Sequence, residues 1–183
     1  MAEDRWGVPA FVRQLDAIEA DAKALADGLS EADGTRRLAP ESWSVAECLA
    51  HLAVSKHVYL AAMRKAPRGK ATNDRSVRPG WFGRFMAWGL EPPPRKAFRA
   101  KAPAAINPAI PASFHDAFND FLAAHAEVKR FLLEETAGTD LNGRFPNPFV
   151  PSLRLSLASG LQVIAAHDRR HLWQAWRSRR AAQ

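Results

Sequence analysis

Residues 153–180 read LRLSLASGLQVIAAHDRRHLWQAWRSRR, the longest uninterrupted helical pattern in the chain. Leu153, Leu157, Gly160, Ile164, His167, His171 and Gln174 recur at alternating steps of four and three, which is the spacing of one stripe of a bundle helix. A helix this long buries such a stripe against other helices, so the pattern predicts an all-α fold. Bundle cores are built from aliphatic side chains, yet this stripe carries His167 and His171. Residues four apart stack one turn above another on a helix, so both imidazoles can reach a single ion.

Three further helices are predicted upstream. In residues 8–29, Val8, Phe11, Leu15, Ile18, Ala22, Leu25 and Leu29 hold heptad-like spacing. Residues 30–40 read as a connector, broken by Gly34 and Pro40. Ser44 and Glu47 then form an S-x-x-E capping box, which starts a second helix over residues 45–65 with His51 about two turns in. Its inner rows hold Val45, Leu49, Leu52, Tyr59 and Met63 beside Cys48, His51, Ser55, Val58 and Ala62. The third helix covers residues 112–137, with Phe114, Phe118, Phe121, His125, Val128 and Leu132 as its stripe and Gly138 as its stop.

Residues 66–111 differ in character. Eight of the chain's 13 prolines fall there, together with many basic residues, Arg95, Lys96, Arg99 and Lys101 among them. No long helix survives that proline density, but a short one fits residues 81–90. There Trp81, Phe82, Phe85, Met86 and Trp88 cluster, and aromatics so dense are expected to pack on the bundle, on a partner subunit or over a pocket. Residues 139–151 form the last loop. No strand-like alternation of useful length is visible.

The chain has 183 residues with 47% hydrophobic and 25% charged content, which fits one soluble domain spanning 1–183 with 66–111 as a Pro-rich basic insert. The N-terminus MAEDRWGVPAF reads as no secretory signal, and no apolar run approaches membrane-spanning length. The lone Cys48 excludes an internal disulfide and agrees with a reducing, cytoplasmic setting. A net charge of +7 with a pI near 10.2 is weak ground for nucleic-acid binding, and the insert shows no recognised nucleic-acid motif.

Loop lengths constrain the connectivity. Helices one and two, and helices three and four, share short links and are expected to be antiparallel neighbours. The link between two and three has about 45 residues, enough at about 3.3 Å each to recross a helix of about 30 Å. An up-down-down-up four-helix bundle results, with the insert as crossover. In it the start of helix two faces the end of helix four, and His51 falls level with His171. His125 lies about six residues deeper, roughly 9 Å away.

Three neutral imidazoles at one mouth of a bundle make an open site for zinc, nickel or ferrous iron, able to lower the pKa of a bound water or thiol. A structural reading stands beside it: His167 and His171 as ordinary amphipathic-helix residues, since H-x-x-x-H lacks the glutamate of H-E-x-x-H. For Glu47 the capping role is sufficient, with orientation of His51 as the alternative. Asp168 and Arg169 read as a solvated edge, His57 and His115 as surface residues, His125 as a core-edge histidine, and Cys48 as a small buried hydrophobe.

The combination of Trp43-Ser44, Glu47, His51-Leu52 and His167-x-x-x-His171-x-x-Gln174, with a Pro-bearing turn at residues 145–148, resembles the DinB-like superfamily, mostly bacterial four-helix bundles. The resemblance covers nearly the whole chain, the insert being least typical. It implies up-down-down-up order and a divalent metal held by three histidines, which carry over onto His51, His167 and His171. Relatives with known activity include thiol S-transferases and isomerases that use bacillithiol or mycothiol, and homodimers are common. The resemblance thus implies a metal-dependent enzyme transferring a low-molecular-weight thiol, or water, to a small electrophile. The alternative is a non-enzymatic stress-response module using the basic insert as its contact surface.

Overall fold

The computed structural model describes residues 5–73, 75–93, 111 and 113–182. These residues are mostly helical, with one small two-stranded sheet. Helix α1 spans Val8–Ala26 with proline in its first turn, where no intrahelical N–H is lost. The predicted connector contains a short helix, α2 (Glu31–Thr35), nucleated by the Ser30 hydroxyl accepting from the Asp33 amide at 3.1 Å.

Helix α3 (Val45–Met63) starts at the predicted capping box. The Ser44 side chain accepts from the Glu47 amide at 3.1 Å, and the Glu47 carboxylate accepts from the Ser44 amide at 3.0 Å. Helix α4 (Trp81–Leu90) occupies the segment predicted for it. Helix α5 (Phe114–Arg130) is capped by Ser113 and passes into a π-helical turn, Phe131–Glu135, before Gly138 at φ 69°.

The final helix corrects the predicted start. α6 spans Leu157–Ala182, whereas residues 154–156 form β2 and pair antiparallel with β1 (Arg144–Pro146), placing Phe145 opposite Leu155. Both of those side chains are buried, so three residues with one inward position were enough for a strand too short to show alternation. The strand delivers the first amides of α6 to waiting acceptors: Leu157 N–H donates to the Gly143 carbonyl at 2.9 Å and Ala158 N–H to the Leu141 carbonyl at 3.0 Å. Four such donors go unmet at any helix start, and here the preceding loop supplies partners.

Contacts between helices run in consistent senses. Along α3 and α6, Lys56 meets Asp168, and Met63 lies beside Gly160, so the two helices are antiparallel. Along α3 and α5, Lys56 lies over Phe121 and Arg64 reaches Glu127, so they are parallel. Along α1 and α6, Asp21 accepts from Trp176, and Arg179 donates to the Leu25 carbonyl. The core between them includes Phe11, Leu15, Leu25, Leu49, Leu52, Phe121, Leu132 and Leu161.

The described part of the insert is strapped to this body. Val77 is fully buried and its amide donates to the Trp6 carbonyl at 2.7 Å. Arg75 donates to the Leu132 carbonyl at 2.7 Å and the Thr136 hydroxyl at 2.9 Å, at a helix C-terminus where a cation is favoured. The open carbonyls of the helix end thus hold a basic residue of the insert against the body. Residues 94–110, including Arg95, Lys96, Arg99 and Lys101, lie outside the described residues.

Helix α4 packs on α6 through Phe82, Met86 and Leu90, with Gly83 so close to Ser159 that a Cβ would come within 2.4 Å of its hydroxyl. The opposite face leaves Trp81 81% exposed and Phe85 and Trp88 about half exposed. Within one chain a ten-residue helix turns only one face to the body, which leaves these three on the other.

Candidate metal centre

The capping box fixes where α3 begins and so where His51 points. Glu47 is spent on this: besides Ser44, its carboxylate is clamped by Arg37, whose Nε donates at 2.8 Å. Burial alone would raise the Glu47 pKa, but the bonds from Arg37 and Ser44 outweigh it and hold the group below its usual value. The capping reading of Glu47 therefore suffices.

Opposite, α6 presents His167 and His171 one turn apart. The three imidazoles converge. Ring centroids lie 5.0 Å apart for His51 and His167, 4.5 Å for His51 and His171, and 4.6 Å for His167 and His171. One nitrogen from each lies within 4.8 Å of the others, so the trio could hold a metal ion. His51 is buried, and the other two are half-buried.

Electrostatics favour the neutral, ligating form. Burial first, then the neighbouring imidazoles, Lys56 and Arg170, push His167 well below the ordinary histidine pKa. The same burial, with His51 and Arg170, brings His171 down to about 3. Two neutral rings at pH 7 offer lone pairs without a proton to displace.

The spacing fits an ion. His51 Nε2 and His167 Nε2 lie 3.2 Å apart; a tetrahedral centre with metal–nitrogen bonds of about 2.0–2.1 Å has nitrogen–nitrogen edges of about 3.3 Å. His171 Nδ1 is buried with no hydrogen-bond partner, an atom such a site leaves ready for a ligand. A donor set of three imidazoles suits zinc, nickel or ferrous iron.

Trp43 closes one side. Its ring stacks on His171 with centroids 5.6 Å apart and tilts against His51 at 4.9 Å, and its carbonyl accepts from the Ser178 hydroxyl at 2.9 Å. Beyond Trp43 lies a cleft of about 590 Å³ between α6 and residues 38–43. Trp81, Phe85 and Trp88, expected to shape the pocket, do not line this cleft.

Beneath the imidazoles lies a group that sequence reasoning missed. Lys56 and Asp168, each 1% exposed, form an ion pair at 2.6 Å, with the ammonium 4.0 Å over the Phe121 ring. His125 Nδ1 lies 3.6 Å from the other Asp168 oxygen, and His125 Nε2 meets the Leu15 carbonyl at 3.0 Å. Asp168 was expected at a solvated edge; it is core, because Lys56 on α3 provides a counter-charge that α6 alone does not reveal. Arg169 is half-buried and paired with Glu91 at 3.0–3.1 Å. His125 is fully buried rather than at the core's edge, outside the three-histidine trio as expected. The Lys56 signal was in the spacing: Val45, Leu49, Leu52, Lys56, Tyr59 and Met63 step by four and three, so lysine fills a core position. His57 and His115 are exposed, and Cys48 is fully buried with its thiol pKa raised by burial.

A mostly helical body with three imidazoles gathered between two antiparallel helices defines the class. The family model of the DinB superfamily matches residues 14–175, and the chain belongs to that superfamily. No curated protein matches it. Among the described residues, no helix is long and apolar enough to cross a membrane.

Proposed function

We propose that this chain is a metal-dependent enzyme that activates a thiol or water for transfer to a small electrophile, in the manner of a thiol S-transferase. His51, His167 and His171 hold the ion, which is zinc, nickel or ferrous iron. When bound, the metal supplies Lewis acidity that makes a thiol or water in its open position more nucleophilic at neutral pH. The observation that carries this reading is the 3.2 Å approach of His51 Nε2 and His167 Nε2, with one ring nitrogen from each of the three imidazoles within 4.8 Å of the others.

The chain's own residues do the rest. His167 and His171 stay neutral through burial. Trp43 covers two of the rings and keeps water from that side. Lys56 and Asp168 fix α3 against α6 next to the ligating turns. The pairing senses given above support an up-down-down-up bundle, with α1 and α6 running one way, α3 and α5 the other, and the insert crossing between α3 and α5. The whole chain acts as one domain, works in the cytoplasm and forms a homodimer, without membrane or nucleic acid as partner.

Elemental analysis of the purified and reconstituted protein, beside His51→Ala and His171→Ala, tests the metal. About one ion per chain is expected in the parent and near none in the variants; equal, near-zero metal in all three defeats the reading. A screen of thiols against model electrophiles then tests the transfer.

A further inference from the structure

Cations gather at the opposite end of α3 from His51. Residues 67–72 run beside residues 138–143. Thr72 N–H donates to the Gly138 carbonyl at 2.9 Å and Asp140 N–H to the Lys70 carbonyl at 2.8 Å, and a Cβ on Gly143 would lie 2.4 Å from the Pro67 carbonyl oxygen. The second segment continues into β1, which pairs with β2. This three-segment ribbon and the turn leading into it carry Lys65, Arg68, Lys70, Arg144 and Arg154, all exposed, against a single carboxylate, Asp140. Among the described residues, none of these cations has an ion-pair partner. Arg64, just before the ribbon, takes Glu127 and Glu135.

Two of the cations are also held in place. Arg144 and Arg154 sit on the exposed face of the hairpin, opposite the buried Phe145 and Leu155. Arg144 Nη2 donates to the Arg154 carbonyl at 3.2 Å, and Arg154 Nη2 to the Arg144 carbonyl at 3.1 Å. A carbonyl orients a guanidinium without neutralising it and leaves most of its N–H donors open. Groups oriented in advance lose less freedom when a ligand binds.

Charge and shape decide what fits. A carboxylate pairs with a guanidinium through two parallel hydrogen bonds, and an extended chain sets alternate side chains on one face about 7 Å apart. A second copy does not fit, because across a two-fold axis centred here the cations would meet their own images. A nucleic-acid strand finds no exposed ring on the ribbon to stack against, since Phe145 is buried and Phe149 half-buried.

We propose that this ribbon docks an extended acidic segment of another protein, its carboxylates seated on Arg144 and Arg154 with Arg68 and Lys70 alongside. The surface lies roughly 18 Å along α3 from His51, so an occupant leaves the imidazoles uncovered and docking does not depend on the metal reading.

Fluorescence anisotropy of a labelled Glu-Ser repeat peptide, titrated with the full chain, tests this. The comparisons are a Gln-Ser peptide of equal length, single- and double-stranded oligonucleotides, and vesicles containing phosphatidylserine. Binding of the Glu-Ser peptide and not of the Gln-Ser peptide is expected, weakened by added salt and by about fivefold or more in Arg144→Gln/Arg154→Gln. Arg177→Gln/Arg180→Gln, near the far end of α6, should bind as the parent does. Equal weakening in the two double variants would mean that net charge alone attracts the peptide, and overturns the proposal. So does binding of the Gln-Ser peptide, binding of neither peptide, or tighter binding of an oligonucleotide or the vesicles than of the Glu-Ser peptide. If circular dichroism shows that Arg144→Gln/Arg154→Gln does not fold, the exposed pair Arg68→Gln/Lys70→Gln decides by the same criteria.

Discussion

Removing one member of the Lys56–Asp168 pair should cost more than any other single polar change in the core. Both side chains are 1% exposed and 2.6 Å apart. In Asp168→Ala the ammonium keeps only the Phe121 face, 4.0 Å away, as its nearest compensation, and Lys56 is already drawn toward its neutral form by burial, with Asp168 opposing. In Lys56→Met the carboxylate keeps only His125 Nδ1 at 3.6 Å. Breaking a buried pair in this way costs about 3–5 kcal/mol, whereas replacing both members by apolar groups of similar volume is often neutral or stabilising. Urea unfolding followed by circular dichroism should therefore give losses of about 3–5 kcal/mol for each single variant, with most of that recovered in Lys56→Met/Asp168→Leu. Single losses below about 1 kcal/mol, the range of surface pairs, would show that the pair is not sealed from water. A double loss equal to the sum of the singles would show that the two charges are not coupled.

Three further outcomes are expected. In EDTA-treated protein, burial holds the His171 pKa down at about 3, far below the ordinary histidine value of about 6.5, so on acidification the unfolded chain takes up a proton that the folded chain refuses. Stability should then fall as pH drops from 6.5 to 5, by roughly 1.4 kcal/mol per pH unit from His171, with His167 acting in the same direction; a flat urea-midpoint profile over that range would contradict it. Cys48, fully buried with its thiol pKa raised, should resist a chromogenic disulfide reagent at pH 8 until denaturant is added, and rapid labelling of the native protein would place it in contact with solvent. Gly34→Ala should destabilise by about 1–3 kcal/mol from overpacking, since its Cβ would lie 2.4 Å from the buried Phe114 ring, despite a helix-propensity gain of about 1 kcal/mol; an unchanged melting temperature would mean the ring shifts freely.

Periodicity and capping carried most of the fold. The Ser44–Glu47 box placed the first turn of α3 where it lies, because a cap is local chemistry that neighbouring helices do not alter. The aromatic segment over residues 81–90 was legible for the same reason. Leu153 fitted the stripe of α6, yet the helix begins four residues later. The deciding partners were the Gly143 and Leu141 carbonyls, acceptors a sequence pattern cannot see. The convergence of His51 with His167 and His171 was legible from helix levels and loop lengths together. Asp168 was not, since its burial depends on a lysine on another helix. Yet Lys56 and His125 each sit on a heptad row of their own helix, and Asp168 falls between Leu161, Ala165, Leu172 and Ala175 on another. Three charged or titratable residues at core positions of three helices were a written signal of a buried polar cluster.

The cap at Ser44 also has a bearing on how this chain can diverge. An α-helix turns about 100° per residue, so one residue added or removed between Ser44 and His51 would swing the imidazole out of the trio while leaving α3 intact. Between Met63 and Trp81 a change in length alters the phase of neither flanking helix. The spacing from cap to first histidine is therefore a fixed count, protected by rotation rather than by any contact that His51 itself makes.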